Sequence, residues 1–176
     1  MICDRYLSWG WENAEDKVMP VGMFKKSNLQ GEKTVSKNRI LLLISGAPRY
    51  SGTIISMPMA GQVNKYLDDQ FEFYRNLSDP VTENVIIRLY PHDYGGNQYD
   101  QWKDTFPNSN IDNGEASFDK AFGSSDLVIT GWNTTTYLET MSSGIPTVIF
   151  WNPEYHELRE EASILFKDLN KVGIYH

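Results

Sequence analysis

The sequence has very little cysteine and no long hydrophobic run. Its single cysteine, Cys3, cannot form a disulfide within the chain, which predicts a reducing compartment. The longest purely aliphatic run, Ile40 to Ile44, is far shorter than a membrane span of about 20 residues. The first residues, MICDRYLSWGW, are charged where a signal peptide would be apolar. We therefore expect a cytoplasmic protein without a transmembrane segment, and peripheral membrane association stays open.

Basic residues are in the minority, and metal-binding patterns are missing. Lys and Arg number 16 against 23 Asp and Glu, so the net charge of −7 argues against nucleic acid as a partner. The three histidines, His92, His156 and His176, do not have the spacing of metal ligands. The G-x-S-x-G nucleophile elbow of one hydrolase class is also absent. No metal and no cofactor are therefore expected.

Short apolar runs alternate with helical or polar sequence through most of the chain. An amphipathic helix from Val63 to Tyr74 follows the first run, because its apolar residues recur at helical spacing. The runs are typical of strands buried on both faces, and they lie at about 40–45, 84–89, 126–130 and 147–151. This alternation predicts an α/β fold with a doubly wound parallel sheet.

Three further predictions rest on weaker sequence patterns. A leading segment, 1–38, is expected to pack as a linker on a domain of residues 39–176, with a short strand near KVMPVGMF. Residues 108–123 suggest a short strand near Ile111 and a helix from Phe118 to Phe122. The last helix is predicted to be capped by Asn152, with Leu165 on its buried face.

Ligands of doubly wound sheets bind outside the carboxyl ends of the strands, which directs attention to the loops there. The first such loop, SGAPRYSG at 45–52, offers Gly46 for close backbone approach and Arg49 as a cation for the ligand. This loop matches neither G-x-G-x-x-G nor a Walker motif, so a plain connection is the alternative. The other loops are 91–97, 131–136 and 151–155.

Two titratable side chains stand at the end of the second strand, in IIRLYPHD. Arg88 lies inside an apolar run, an unfavourable place for a charge unless it reaches a partner at the strand end. We expect Arg88 to point to the carboxyl edge of the sheet and not into a closed core salt bridge, although pairing with a structural carboxylate is the alternative. His92 is a candidate catalytic base, but a lone loop histidine is more often a surface or packing residue.

The segment GWNTTTYLE has more hydroxyl groups than a helix start requires. Thr134, Thr135 and Thr136 stand where unpaired backbone N–H groups of a helix favour an anion. Simple N-capping by Asn133 or Thr134 is the alternative. Glu139 lies one turn further on, either facing the cleft or solvated on the surface. The pattern suggests an anion site with a carboxylate beside it.

With these residues, the stretch SSDLVITGWNTTTYLETMSSGIPTVIFWNP resembles the donor half of GT-B glycosyltransferases. Its family features are Asp126 opening a strand, the hydroxyl-rich turn, Glu139, and Gly144 with Pro146 before the next strand. IIRLYPHD is similar to a strand end of the CDP-glycerol phosphotransferase and surface-polysaccharide branch. Nearly the whole chain resembles transferases of bacterial surface carbohydrate biosynthesis.

The resemblance implies a Rossmann-like domain that binds a nucleotide-sugar donor without a metal. Glu139 would bind the ribose, and Thr134, Thr135 and Thr136 the diphosphate. Gly46 belongs to the same donor site, and Arg49 and Arg88 would neutralise leaving-group charge. The catalytic base is unassigned.

GT-B enzymes have two domains, so the resemblance also implies that the N-terminal acceptor domain is absent and that this part alone is inactive. A nucleotide-sugar epimerase-like domain and a non-catalytic interaction module are the alternatives. Convergence of Arg88, Thr134 and Glu139 on one cleft would favour the enzyme over the module.

Overall fold

The computed structural model describes residues 4–12, 17–23, 38–48 and 58–176, in which the chain forms two parallel sheets. The smaller sheet pairs β1 (Tyr6–Ser8) with β2 (Val18–Pro20). The short strand expected near Val18 is thus present. Its partner β1 was not predicted, because three residues are too few to show a periodicity.

The larger sheet confirms the predicted doubly wound α/β fold. Its strand order is β5-β4-β3-β6-β7, and every neighbouring pair is parallel. The strands are β3 (Ile40–Leu43), β4 (Val85–Arg88), β5 (Asn110–Asp112), β6 (Leu127–Thr130) and β7 (Thr147–Ile149). Taken in chain order, the five strands have the 3-2-1-4-5 arrangement of Rossmann-like folds.

Both faces of the central strand β3 are covered by helices, which explains its continuous apolar run. Leu41 and Leu43 pack on one side with Phe122. Leu42 packs on the opposite side with Tyr66. Phe122 belongs to α4 (Phe118–Gly123) and Tyr66 to α1 (Gly61–Arg75). Both helices had been predicted, at nearly these bounds.

Two helices were missed and one begins later than predicted. The missed helices are α2 (Asp79–Thr82) and α3 (Gln98–Thr105), and α3 buries only Trp102, too little for a helical pattern. The last helix, α6 (Glu160–Lys171), does not begin at Asn152. Instead, the Asn152 side chain accepts a hydrogen bond from Glu154 N at 2.9 Å, which closes a turn.

The later start of α6 changes which of its side chains are buried. Leu165, predicted on the buried face, is 67% exposed, whereas Phe166 is 8% exposed. After α6 the chain returns to the sheet, where Ile149 N donates to Ile174 O at 2.7 Å and His176 N donates to Ile149 O at 2.9 Å. The last residues therefore lie along the outer edge of β7. None of the helices in the described ranges is long and apolar enough to cross a membrane.

Replacing Gly131 with alanine tests the packing of α1 on the end of β6. A Cβ at Gly131 would lie 2.6 Å from Cδ of Gln70, which is itself 1% exposed and cannot move into solvent. We expect Gly131→Ala to lower the free energy of unfolding by about 1–3 kcal/mol, as overpacking does. Urea denaturation measures this loss.

The double variant Gly131→Ala/Gln70→Ala is the matched control, because it removes the group that the methyl would overlap. Its loss should be smaller than the sum of the two single losses. Additive losses would show that the two positions do not compete for the same space.

Candidate functional site

A cleft of about 370 Å³ opens at the carboxyl edge of the larger sheet. It lies where β3, β4 and β6 end, and the strand order reverses at β3. This is the switch point at which doubly wound folds bind ligands. The lining residues come from the ends of three strands, the loops that follow them and two helices, and are Leu43, Ile44, Ser45, Arg88, Leu89, Tyr90, Phe118, Phe122, Thr130, Thr134, Thr135, Thr136 and Glu139.

The cleft brings together five of the side chains predicted for the donor site. Arg88 comes from the end of β4, and the other four come from the segment that follows β6: Thr134, Thr135, Thr136 and Glu139. Arg88, Thr134 and Glu139 thus converge on one cleft, the arrangement that favours an enzyme over an interaction module.

The three threonines line the cleft just before and at the start of α5 (Thr136–Ser142). Thr134 Oγ1 donates to Thr136 Oγ1 at 3.2 Å. The Asn133 side chain accepts a hydrogen bond from the Tyr137 hydroxyl at 3.3 Å. No side chain within the described ranges caps α5. The alternative of simple capping by Asn133 or Thr134 is therefore not what the structure shows.

Glu139 lines the cleft and is not a solvated surface residue. It is 5% exposed, and its Oε1 accepts a hydrogen bond from Thr135 Oγ1 at 3.2 Å. Its backbone oxygen accepts from the hydroxyls of Ser142 and Ser143, which hold the end of the same helix. The carboxylate is therefore held in place beside the threonine hydroxyls.

Arg88 reaches the carboxyl edge of the sheet, but the expectation that it avoids a buried salt bridge is wrong. Its guanidinium pairs with Asp112 at the end of β5 and is 3% exposed. It also donates to Gly114 O at 3.2 Å and to Ala116 O. Phe118 packs against it, with Cζ 5.1 Å from the ring centroid. Its hydrogen bonds thus hold the end of β5 and the loop that follows it.

Gly46 allows a close approach, but the group that approaches is a side chain of the same protein. A Cβ at Gly46 would lie 2.9 Å from Cδ1 of Tyr90. Gly46 adjoins the cleft through Tyr90 and is not one of its lining residues. Arg49 lies outside the described residues, so its predicted role stays a prediction.

The structure does not bring His92 into the cleft. His92 is exposed on the loop after β4, with its ring centroid 6.0 Å from Tyr90 and 6.4 Å from Tyr94. In the part of the chain that the structure describes, no group of three or more His, Cys, Asp or Glu side chains could hold a metal ion. The role of His92 as a base stays a prediction.

Sequence reasoning missed the aromatic walls of the cleft and the partner of Arg88. Tyr90 and Phe118 line the cleft although neither was a candidate. Tyr90 could have been found, because it stands two residues beyond the strand residue Arg88. Asp112 carried no such signal, since it pairs with a residue 24 positions earlier.

His156 is buried among aromatic rings next to the last strands. Its ring centroid lies 5.3 Å from Trp132, 5.8 Å from Trp151 and 5.4 Å from Tyr155. Burial lowers the pKa of His156 from 6.5 to about 4. The imidazole is therefore neutral at pH 7 and serves as a packing group.

Replacement of Arg88 by methionine should destabilise the fold. The variant leaves Asp112 and the carbonyls of Gly114 and Ala116 without their cation. Removing one partner of a fully buried ion pair lowers the free energy of unfolding by about 3–5 kcal/mol, and because the Asp112 side chain is 23% exposed the loss here should lie at or below the low end of that range. The exposed Arg75→Met variant is the control, with an expected change of about 0.5 kcal/mol or less in urea denaturation. Equal stabilities of the two variants would contradict a structural role for Arg88.

His156 should make stability depend on pH between about 4 and 6.5. In this window the unfolded chain binds a proton that the folded chain does not, so the free energy of unfolding falls as pH falls. The slope is at most about 1.4 kcal/mol per pH unit and vanishes above pH 6.5. Urea denaturation of the wild type and of His156→Phe from pH 4 to 8 measures it. Parallel curves for the two proteins would contradict a buried neutral imidazole.

Comparison with known proteins identifies a family for the whole chain. No curated protein and no solved structure matches it. A family model described as LIC12162 family transferase matches residues 1–176. The chain therefore belongs to the LIC12162 family of transferases.

Proposed function

We propose that this chain is the donor-binding domain of a GT-B glycosyltransferase in surface carbohydrate biosynthesis. The observation that supports the proposal is the cleft at the switch point of the sheet, where Thr134, Thr135 and Thr136 meet the Glu139 carboxylate. Membership of a transferase family supports the same class of reaction. The donor is a nucleotide-sugar.

In this proposal the diphosphate of the donor binds the segment from Thr134 to Thr136. Hydroxyl groups donate to phosphate oxygens, and the first backbone N–H groups of a helix have no partner within the helix. In the described part of the chain the N-cap residue Thr135 makes no side-chain capping hydrogen bond, so in this proposal the ligand supplies that contact. Because α5 has only seven residues, the contacts with hydroxyls and N–H groups matter more than its dipole.

The ribose of the donor binds Glu139. A carboxylate can accept two hydrogen bonds from the neighbouring hydroxyls of a ribose. The Thr135 hydroxyl already donates to Oε1 at 3.2 Å, so the side chain is oriented before the ligand arrives. This preorganisation reduces the entropy lost on binding.

The transfer step requires charge stabilisation at the leaving diphosphate. Arg88 is committed to Asp112, so in this proposal it supports the cleft wall and the threonines make the direct contacts. Electrostatic stabilisation by fixed donors of this kind works without a metal. The acceptor and the general base would come from a second domain, as the GT-B resemblance implies.

Replacing Glu139 with alanine tests the donor site. We expect the affinity for nucleoside diphosphates to fall about tenfold to a hundredfold, the equivalent of losing a charge-assisted hydrogen bond. Isothermal titration with uridine, cytidine and guanosine diphosphates measures this loss. Glu157→Ala, which removes an exposed carboxylate, is the matched control and should bind like the wild type.

Two outcomes would contradict the proposal in different ways. If the wild type binds none of the three nucleotides, the donor site itself is wrong and the interaction module becomes the better explanation. If the wild type and Glu139→Ala bind equally well, the cleft binds nucleotides but Glu139 does not hold the ribose.

A further inference from the structure

An exposed pair of tyrosines stands immediately beyond β4. Tyr90 is 40% and Tyr94 45% exposed. Their rings are stacked, with centroids 5.8 Å apart and planes inclined by 22°. Two flat aromatic rings in water offer a surface on which a third ring can stack.

The position of Tyr90 is fixed by the backbone of the loop after β3. A Cβ at Gly46 would lie 2.9 Å from Cδ1 and 3.0 Å from Cβ of Tyr90, so only glycine leaves room for this ring. Ser45 holds the loop from both sides: its N–H donates to the Tyr66 hydroxyl at 2.9 Å, and its oxygen accepts from Gln98 Nε2 at 3.1 Å. The ring is therefore placed before any ligand binds.

Tyr90 also joins the cleft to a second hollow. This hollow has a volume of about 240 Å³ and shares Leu89 and Tyr90 with the cleft. Its other lining residues are Pro91, Asp93, Gln98, Tyr99 and Asn113. Gln98 Nε2 already donates to Ser45 O, so the hollow offers the Gln98 amide oxygen and the Asn113 amide to the edge of a nucleobase. A ligand held in the cleft can thus continue over Tyr90 into the hollow.

We propose that the Tyr90 and Tyr94 rings bind the nucleobase of the donor, whose edge enters the hollow beside them. The inference rests on the nucleotide donor proposed above and names the place of the base. Three observations support it. The hollow is continuous with the cleft, the two tyrosine rings are stacked and exposed, and the Tyr90 ring packs against Gly46. An aromatic ring stacks on any base, so the site binds several nucleotides and the amides select among them.

Isothermal titration of Tyr90→Leu and Tyr90→Phe with uridine, cytidine and guanosine diphosphates tests the base site. Stacking on one aromatic side chain corresponds to about tenfold to a hundredfold in affinity. We expect that loss for leucine and nearly wild-type affinity for phenylalanine, which keeps the ring. Tyr6→Leu, which removes a similarly exposed tyrosine outside the cleft, is the control.

Inorganic pyrophosphate, measured by competition with the nucleotide, is the probe without a base. Its affinity should be equal in the wild type and in Tyr90→Leu, since the proposed diphosphate contacts lie after β6. Gly46→Ala is a second variant, which keeps the tyrosine but displaces its ring. We expect it to weaken nucleotide binding and to leave pyrophosphate binding unchanged.

The outcomes separate this inference from the proposed function. If the wild type binds the nucleotides and Tyr90→Leu binds them equally well, the base lies elsewhere while the donor site stands. An equal loss for pyrophosphate would show that Tyr90 shapes the cleft as a whole, which also overturns the base site. If no nucleotide binds the wild type, both proposals are wrong.

Discussion

The parallel, in-register pairing of β3 with both of its neighbours determines where every candidate side chain lies. Leu43 stands opposite Arg88 in β4 and opposite Thr130 in β6. The three strands therefore end at the same level, and the loops that follow them leave from one edge of the sheet. A slip of one residue in either pair would turn the side chains of that strand to the other face and take its loop out of the cleft.

The sequence predicts the sheet well because burial on both faces leaves continuous apolar runs, of which β3 is the clearest. It predicts short or locally ambiguous elements poorly. Strand β1 has three residues, and α3 buries one. Asn152 followed by proline is a common helix start, yet the same amide oxygen closes a turn equally well. Which of the two forms depends on packing around residues 151–159, and the local sequence does not contain that information.

The location of the candidate site could be predicted, whereas the contacts within it could not. The rule that ligands bind at the carboxyl ends of the strands led to four loops, of which 45–52 and 131–136 contribute lining residues to the cleft and 91–97 and 151–155 do not. The partner of Arg88 could not be predicted, because Asp112 becomes its neighbour only when β4 and β5 pair. The same holds for Gly46. The predicted close approach to the Gly46 backbone is present, but the group that approaches is the Tyr90 side chain.

Polar groups around the cleft divide into those that hydrogen-bond backbone groups and those that hydrogen-bond other side chains. Arg88 bonds carbonyls of the loop after β5, and the Tyr66 hydroxyl accepts from Ser45 N. Both are thereby committed to the scaffold, because leaving a buried backbone group unpaired is unfavourable. The threonine hydroxyls pair only with side chains, among them Glu139, in the hydrogen bonds described. A ligand can exchange such contacts without exposing the backbone, so the ligand preference of the cleft can change at these positions while the fold is kept.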